Sequence, residues 1–473
     1  MAKLESSWTT TRRGFLRASG LAALAAACGT GGGSGGAGTE GTEAGPGPTA
    51  FASPATSLSG DLKILLWSHF VPRHDEWFDP FAKAWGEEVG VNVSVEHINV
   101  VDIPARIQAE IQAGAGHDLI QYIAPLPQFE PSVVDMRDVT EEANRRFGAQ
   151  LELCEKSSFN PTTGKYYAFS PSWAPDPGNY RRSLWETAGL PDGPSTWDEL
   201  LEGGARIKRD QGVQLGIGMS QEIDSNMAAR ALIWSFGGAV QDENENVIVN
   251  SEQTVAAVEF MKKLYEQTMT QEVFAWNPSS NNQGLIAGQL SYILNSLSAW
   301  RTAQEANPDL ADDVLFVPAL QGPAAKLAAQ HVMYNWIVPS HSRNVDAAKE
   351  FLLHYTSNFE QACYESKLYD FPAYRERVPR LDEWLSNDPF GANPRDKLAV
   401  LKDAVSWSTN VGHRGPANTA VGEVFATFII PNMMAKAARG ELSAKETVTQ
   451  AEAQIKPIFD KWRARGLIGG GRA

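Results

Sequence analysis

Apolar and polar positions alternate along this chain in two rhythms. Leu62 to Trp67 is a short apolar run suited to a buried strand, and Val91, Val93 and Val95 alternate with polar neighbours at strand period. Between them Trp77, Phe81, Ala84 and Trp85 recur at three- and four-residue steps, which predicts a helix over 76–89. Asp102 is placed to cap the next helix, with Pro104 in its first turn, Ile107 and Ile111 on one face and Gly114 past its end. His117 to Ile123 reads as a third strand. Strand, helix, strand, helix, strand predicts parallel α/β units.

A second compact region is expected after Pro171. Thr196-Trp197-Asp198-Glu199 has capping-box spacing and opens a helix running to about Lys208. Val247 to Val249 is strand-like, and 254–267 is predicted helical from the stripe Val255, Val258, Met261, Leu264 and Tyr265. Short strands are expected over 314–317 and 335–338, and an amphipathic helix over 346–356. The last hundred residues read as mostly helical, around 389–407, 420–439 and 443–465. No fixed-period repeat occurs, which excludes a solenoid.

Composition narrows the class. A chain of 473 residues with 43% apolar and 21% charged residues is long enough for two or three domains and is neither wholly disordered nor polytopic. The formal net charge is −15, which disfavours a nucleic-acid partner. The basic residues that begin the chain read as an address. Arg12-Arg13 precede a modest apolar stretch, Ala18 to Ala27, too short to span a bilayer. The segment 1–28 resembles a twin-arginine export signal, and Cys28 stands where lipoprotein signals carry their lipidated cysteine. Residues 29–59 are dominated by Gly, Ser, Thr, Ala, Pro and Glu and are expected to be a flexible tether. The expected location is extracytoplasmic, lipid-anchored to the cell membrane or periplasmic. Cys154 and Cys363, the remaining cysteines, are left open between a disulfide and two buried thiols.

Catalytic signatures are scarce. Outside the Gly-rich stretch around Ser34 there is no Gly-x-Ser-x-Gly, the chain has no His-Glu-x-x-His, Cys-x-x-Cys or phosphate loop, and Gly216-Ile217-Gly218 lacks the third glycine of a dinucleotide loop. Asp242, Asn244 and Asn246 open like a calcium loop, but Val247 replaces its glycine and Gln253 its closing glutamate, so a polar turn is expected. No metal, cofactor or catalytic residue is assigned. Tryptophan stands out instead, with 14 in the chain. Trp77, Trp85 and Trp462 sit at helical core positions, whereas Trp67, Trp173, Trp276, Trp300 and Trp336 fall near predicted strand ends, where α/β sheets bind ligands. Aromatic faces beside amides and acids suit a carbohydrate.

Several segments together resemble the family 1 extracellular solute-binding proteins that feed ATP-driven importers of maltose and other sugars. They are Gly116-His117-Asp118-Leu119-Ile120-Gln121-Tyr122, Gly164-Lys165-Tyr166-Tyr167-Ala168, Tyr180-Arg181-Arg182, Ala188-Gly189-Leu190 with Pro194-Ser195-Thr196-Trp197-Asp198-Glu199-Leu200, Ala287-Gly288-Gln289-Leu290 leading to Trp300, and Ala347-Ala348-Lys349-Glu350-Phe351. The resemblance implies an α/β, two-lobed periplasmic-binding-protein fold of type II character. Each lobe is a mostly parallel sheet flanked by helices, and the ligand cleft lies between the lobes. It places one lobe at 60–171 plus 318–368 and the other at 172–316 plus 370–467. Carried over residue by residue, ligand contacts fall on Trp67, His69, Tyr122, Trp173, Asn295, Trp300, Asn335, Trp336, Tyr369 and Arg414. The implied function is non-enzymatic capture of a sugar by a monomer that delivers it to a membrane permease and its ATPase. A polyol or other small molecule in the same fold, and a secreted glycoside hydrolase, are the alternatives.

Overall fold

The computed structural model describes residues 45–469 other than 48 and 52. The segment expected to be an export signal, Cys28 and the expected tether as far as residue 44 lie outside the described residues. Ten strands build two main sheets: β1 (Gly60–Trp67), β2 (Val91–Ile98), β3 (Leu119–Tyr122), β4 (Phe169–Ala174), β5 (Gly178–Arg181), β6 (Gln214–Gly216), β7 (Leu290–Leu294), β8 (Val314–Val317), β9 (Val332–Ile337) and β10 (Phe371–Pro372). The first sheet runs β10-β4-β9-β3-β1-β2 and the second β8-β5-β7-β6. Helices flank both sheets, so the architecture is two-lobed α/β.

The first three strands pair in parallel, with the helix Pro72–Val89 crossing between β1 and β2 as its apolar spacing requires. The rest departs from the expectation of mostly parallel sheets. β3–β9, β9–β4 and β4–β10 are antiparallel, as are β5–β7 and β5–β8, while β6–β7 is parallel. The reason is topological: β4 leaves the first sheet for the second, and β9 returns from it, so the two strands run in opposite senses. Strand direction leaves no mark on an apolar run, and both kinds read alike in sequence.

The chain passes from β4 to β5 through Pro175-Asp176-Pro177 and returns between β8 and β9. The two passages are pinned together: the His331 backbone N–H donates to Ala174 O at 2.8 Å, and His331 Nδ1 lies 3.0 Å from Asp176 Oδ1. β4 is whole within the first sheet, so this passage follows Ala174 instead of Pro171. β10, paired with β4, likewise belongs to the first sheet.

Several local expectations change. Val247 joins only an isolated bridge with Gln241 and no strand forms over 247–249, and Asp102 stands at its helix N-terminus without a side-chain cap bond. The stretch 389–407 is not a long helix; its helical part is a 3-10 turn at Ala399–Leu401 and the short helix Ala404–Trp407. The segment 420–439 is two helices, Thr419–Ala426 and Ile429–Ala438, separated at Phe428, whose φ is 53°. Pro431 explains the break, because a proline is tolerated in the first turn of a helix and not in its interior. The described residues between 45 and 59 do not lie free. Ala50 N donates to Asn358 Oδ1 at 2.9 Å, Asn358 Nδ2 returns a bond to Ala50 O at 2.9 Å, Thr49 Oγ1 donates to Gln361 at 2.9 Å, and Phe51 stacks on His354 at 5.5 Å. Cys154 and Cys363 are buried free thiols whose pKa values burial pushes up.

Candidate functional site

The strand ends and the turns after them set the site. After β2, Asn99 caps a 3-10 turn by accepting from Val101 N at 3.2 Å, which holds Val100 and Val101 at the mouth of a cavity. After β3, Tyr122 is followed by Pro125 and Pro127, whose fixed φ turns the chain along the cavity wall. The opposite wall comes from the second lobe. The helix Ile223–Ser235 begins there with Glu222 as its N-cap: Glu222 Oε1 accepts from Ser225 N at 2.5 Å and Oε2 from Asp224 N at 2.6 Å. The break at Phe428 turns the end of one helix and the start of the next toward the same space, which brings Phe425 and Phe428 to the wall.

The cavity so formed measures ≈ 360 Å3. Its first-lobe side is lined by Val100, Val101, Tyr122, Pro125, Leu126 and Gln128, and its second-lobe side by Gln221, Glu222, Ile223, Pro278, Phe425 and Phe428. Val101 is 57% exposed, unusual for a valine and explained by its place at the rim. Burial pushes the Tyr122 hydroxyl up to about 12, so it stays protonated and able to donate. Burial, and then the nearby Asp224 charge, raises the Glu222 carboxyl above the ordinary range; burial does the same to Asp224. Burial opposes charging of His331, but its Asp176 hydrogen bond and the carboxylates of Asp176, Asp224 and Glu222 outweigh it, and the net shift is upward. No group of residues able to hold a metal ion occurs among the described residues.

Of the ten residues carried over by resemblance, Tyr122 lines the cavity. Others are packed framework. Trp67 is wedged among His69, Phe70 and Tyr334 at 4.7, 5.0 and 6.2 Å. His69 Nε2 lies 3.2 Å from Tyr334 Oη and 3.3 Å from Asp370 Oδ1. Trp173 packs edge-on to Phe371, Trp336 sits under the first helix against Phe78 and Tyr355, and Tyr369 meets His69 and His331. Asn335 Nδ2 donates to Ser157 O at 2.7 Å. Trp300 is fully buried in the second lobe, edge-on to Phe316, with Nε1 donating to Ala311 O at 3.2 Å. Asn295 joins a buried amide network through Asn282 at 2.5 Å and Ser298 at 3.3 Å. Arg414 is exposed and donates to Gly237 O at 3.1 Å. The rings of Trp67, Trp173, Trp300 and Trp336 are all fully buried among neighbouring side chains.

Sequence reading missed Glu222, Phe425 and Phe428. Pro431 was the available signal for the last two, since it forces a helix boundary shortly after Phe425. Nothing local marks Glu222, whose neighbours across the cavity lie about a hundred residues away in the chain.

A cavity walled by two sheet-and-helix bodies defines a two-lobed ligand-binding protein. Residues 76–390 match the family of bacterial extracellular solute-binding proteins, and the chain belongs to that family. An arabinooligosaccharide-binding protein of Bacillus subtilis (strain 168) is 21% identical over 325 residues, 64% of this chain and 70% of the relative. Among solved structures, a sugar transporter from Arthrobacter chlorophenolicus A6 with bound laminaribiose has a TM-score of 0.70 at 18% identity, covering 84% of this chain and 99% of that one. An ABC transporter solute-binding protein from Agrobacterium radiobacter K84 in complex with ribitol has a TM-score of 0.69 at 15% identity, covering 86% and 100%.

Proposed function

We propose that this protein captures a saccharide between its lobes outside the cytoplasm and presents it to the permease of an ATP-driven importer. The observation that carries the reading is the cavity of ≈ 360 Å3 with Tyr122 on one wall and Phe425 and Phe428 on the other. Flat rings take the C–H faces of a pyranose, while Glu222, Gln128, Gln221 and the Tyr122 hydroxyl face its hydroxyls. Only the closed form lets both walls touch the ligand, so binding shifts the open-to-closed equilibrium. The closed shape is then what the permease reads. Capture at about 1 μM requires about −8 kcal/mol net of the hinge and ordering costs.

A polyol fits the same walls with less ring face to stack, which ranks it second; the ribitol complex of the Agrobacterium relative keeps it in view. A glycoside hydrolase needs a free carboxylic acid at the bond to be broken. Both oxygens of Glu222 are engaged by backbone N–H groups of its own helix, which disfavours that role. Export through the Arg12-Arg13 signal and lipidation at Cys28 complete the reading, with a monomer held at the membrane and no cofactor. Calorimetric titration against a panel of sugars and polyols tests capture: saturable binding of a sugar, recovered chemically intact, is expected. Binding of no panel member, or release of cleaved product, would overturn it. Fatty-acid labelling that is lost in Cys28→Ala tests the anchor.

A further inference from the structure

The polar turn that begins at Asp242 lies outside the cavity and reaches from one lobe to the other. The Asp242 carboxylate builds it, Oδ1 accepting from Asn244 N at 2.9 Å and from Asn246 N at 2.8 Å. Within it Glu245 is buried and holds φ at 63°, a left-handed conformation uncommon for a residue with a Cβ. Its carboxylate gathers three donors. Oε1 accepts from Asn418 Nδ2 at 2.9 Å, and Oε2 accepts from Thr162 Oγ1 at 2.9 Å and from Gly469 N. Arg463 ties the same turn to the segment after the helix Ala444–Ala464, Nη2 donating to Glu245 O at 3.1 Å and Nε to Gly469 O at 3.1 Å.

Thr162 belongs to the first lobe and its partners to the second. It sits in the hairpin that pairs Phe159–Asn160 with Lys165–Tyr166. That hairpin is fastened to the first lobe by Tyr166, whose N–H donates to Asp135 Oδ1 at 3.1 Å and whose carbonyl accepts from Met136 N at 2.9 Å. Asn160 of the same hairpin makes a second crossing, Nδ2 donating to Leu467 O at 2.8 Å and also to Glu130 Oε2 at 2.6 Å. Both ends of the crossing continue into the cavity walls. Glu130 shares the 3-10 turn Pro127–Ser132 with Gln128, which lines the cavity. Asn418 caps the helix that carries Phe425, accepting from Val421 N at 2.9 Å. The elements that hold the two ends of the crossing are therefore those that hold the two cavity walls.

We propose that Glu245 is a positioning residue, the second-lobe half of a clasp that limits how far the lobes part, with Thr162 as its first-lobe half. This rests on the capture reading only in requiring lobes that move, so the test is made without a sugar. In the full chain carrying Cys28→Ala, dyes on Lys83→Cys and Glu259→Cys, exposed positions on helices of the first and second lobes, report lobe separation by single-molecule energy transfer; Cys154 and Cys363 are buried. Thr162→Val is expected to raise the ratio of widely to narrowly separated lobes about fivefold, the equivalent of one hydrogen bond. Thr162→Ser keeps the hydroxyl and should match wild type. Glu245→Ala should raise the ratio at least as far as Thr162→Val, and combining the two should raise it no further, because they share one bond. Unchanged separations in Thr162→Val and Glu245→Ala overturn the clasp. So do equal effects of Thr162→Ser and Thr162→Val, and additive effects in the double variant. A lowered melting temperature with wild-type separations also overturns it and assigns Glu245 to local packing. Failure of the sugar panel to bind, with the clasp variants behaving as expected, removes capture and leaves the clasp standing.

Discussion

Trp300 and Tyr122 give the sharpest test of which aromatic rings serve the ligand and which serve the fold. Trp300 is fully buried, and its ring is flanked by the Arg301 guanidinium at 4.3 Å and the Lys397 ammonium at 5.2 Å. Trp300→Ala removes the ring from a packed interior, which costs about 3–5 kcal/mol. Two desolvated cation–π contacts and the Nε1 bond to Ala311 O add to this, giving about 4–7 kcal/mol. The described residues run from 45 to 469, and an unfolding entropy of about 2.1 cal/mol/K per residue makes 1 kcal/mol worth about 1 °C if both lobes melt together. Scanning calorimetry should therefore show Trp300→Ala melting about 4–8 °C below wild type, with ligand affinity in the folded protein little changed. Tyr122→Ala should do the reverse: a small change in melting and a loss of affinity of about tenfold or more, because the ring lines the cavity. A Trp300→Ala protein that melts normally and binds no ligand would refute the division between framework and site.

Three further outcomes follow from the packing and charge of the interior. Arg301 and Asp388 form a buried bidentate pair, at 2.5 and 3.1 Å, so Asp388→Ala should cost about 3–5 kcal/mol in urea unfolding while Arg301→Met with Asp388→Leu recovers most of it; equal losses would contradict the unpaired-charge argument. His331 and Glu222 both have folded pKa values raised above their unfolded ones, so the stability each contributes is full below its ordinary pKa and is lost as pH rises through the raised value. The stability advantage of wild type over His331→Gln should accordingly grow from pH 8 to pH 6, and a gap that shrinks over that interval would reverse the assignment. Asn358→Ala removes both bonds to Ala50, and limited proteolysis should then cut near Phe51 sooner than in wild type, with ligand affinity unchanged; an unaltered cleavage pattern would show that these bonds do not hold the segment.

Periodic elements were the legible part of the fold. The helix Glu252–Thr268 and the strand Val314–Val317 stand close to where their apolar spacing puts them, and Thr196 caps its helix by accepting from Glu199 N at 3.0 Å. Strand direction was not legible, because β3 and β9 are both short apolar runs and only the return from the other lobe sets their opposite senses. In the site, Tyr122 was reached through the family resemblance, as the aromatic that ends the matching strand. Trp67, Trp173 and Trp336 carry the same local signal and point into packing instead, a choice decided by partners such as Tyr334, Phe371 and Phe78 far along the chain. Phe425 and Phe428 were hidden inside what reads as one helix, and the kink that exposes them depends on Pro431.

The segment that leads into β1 has a mechanical consequence. Its bonds from Thr49, Ala50 and Ala55 all end on residues 350–361, on helices that flank a single lobe. Swinging of the other lobe neither stretches nor breaks them. The leading strap therefore travels as cargo-blind luggage of its own half, and the distance from residue 45 to that half is the same whether the jaws are parted or shut.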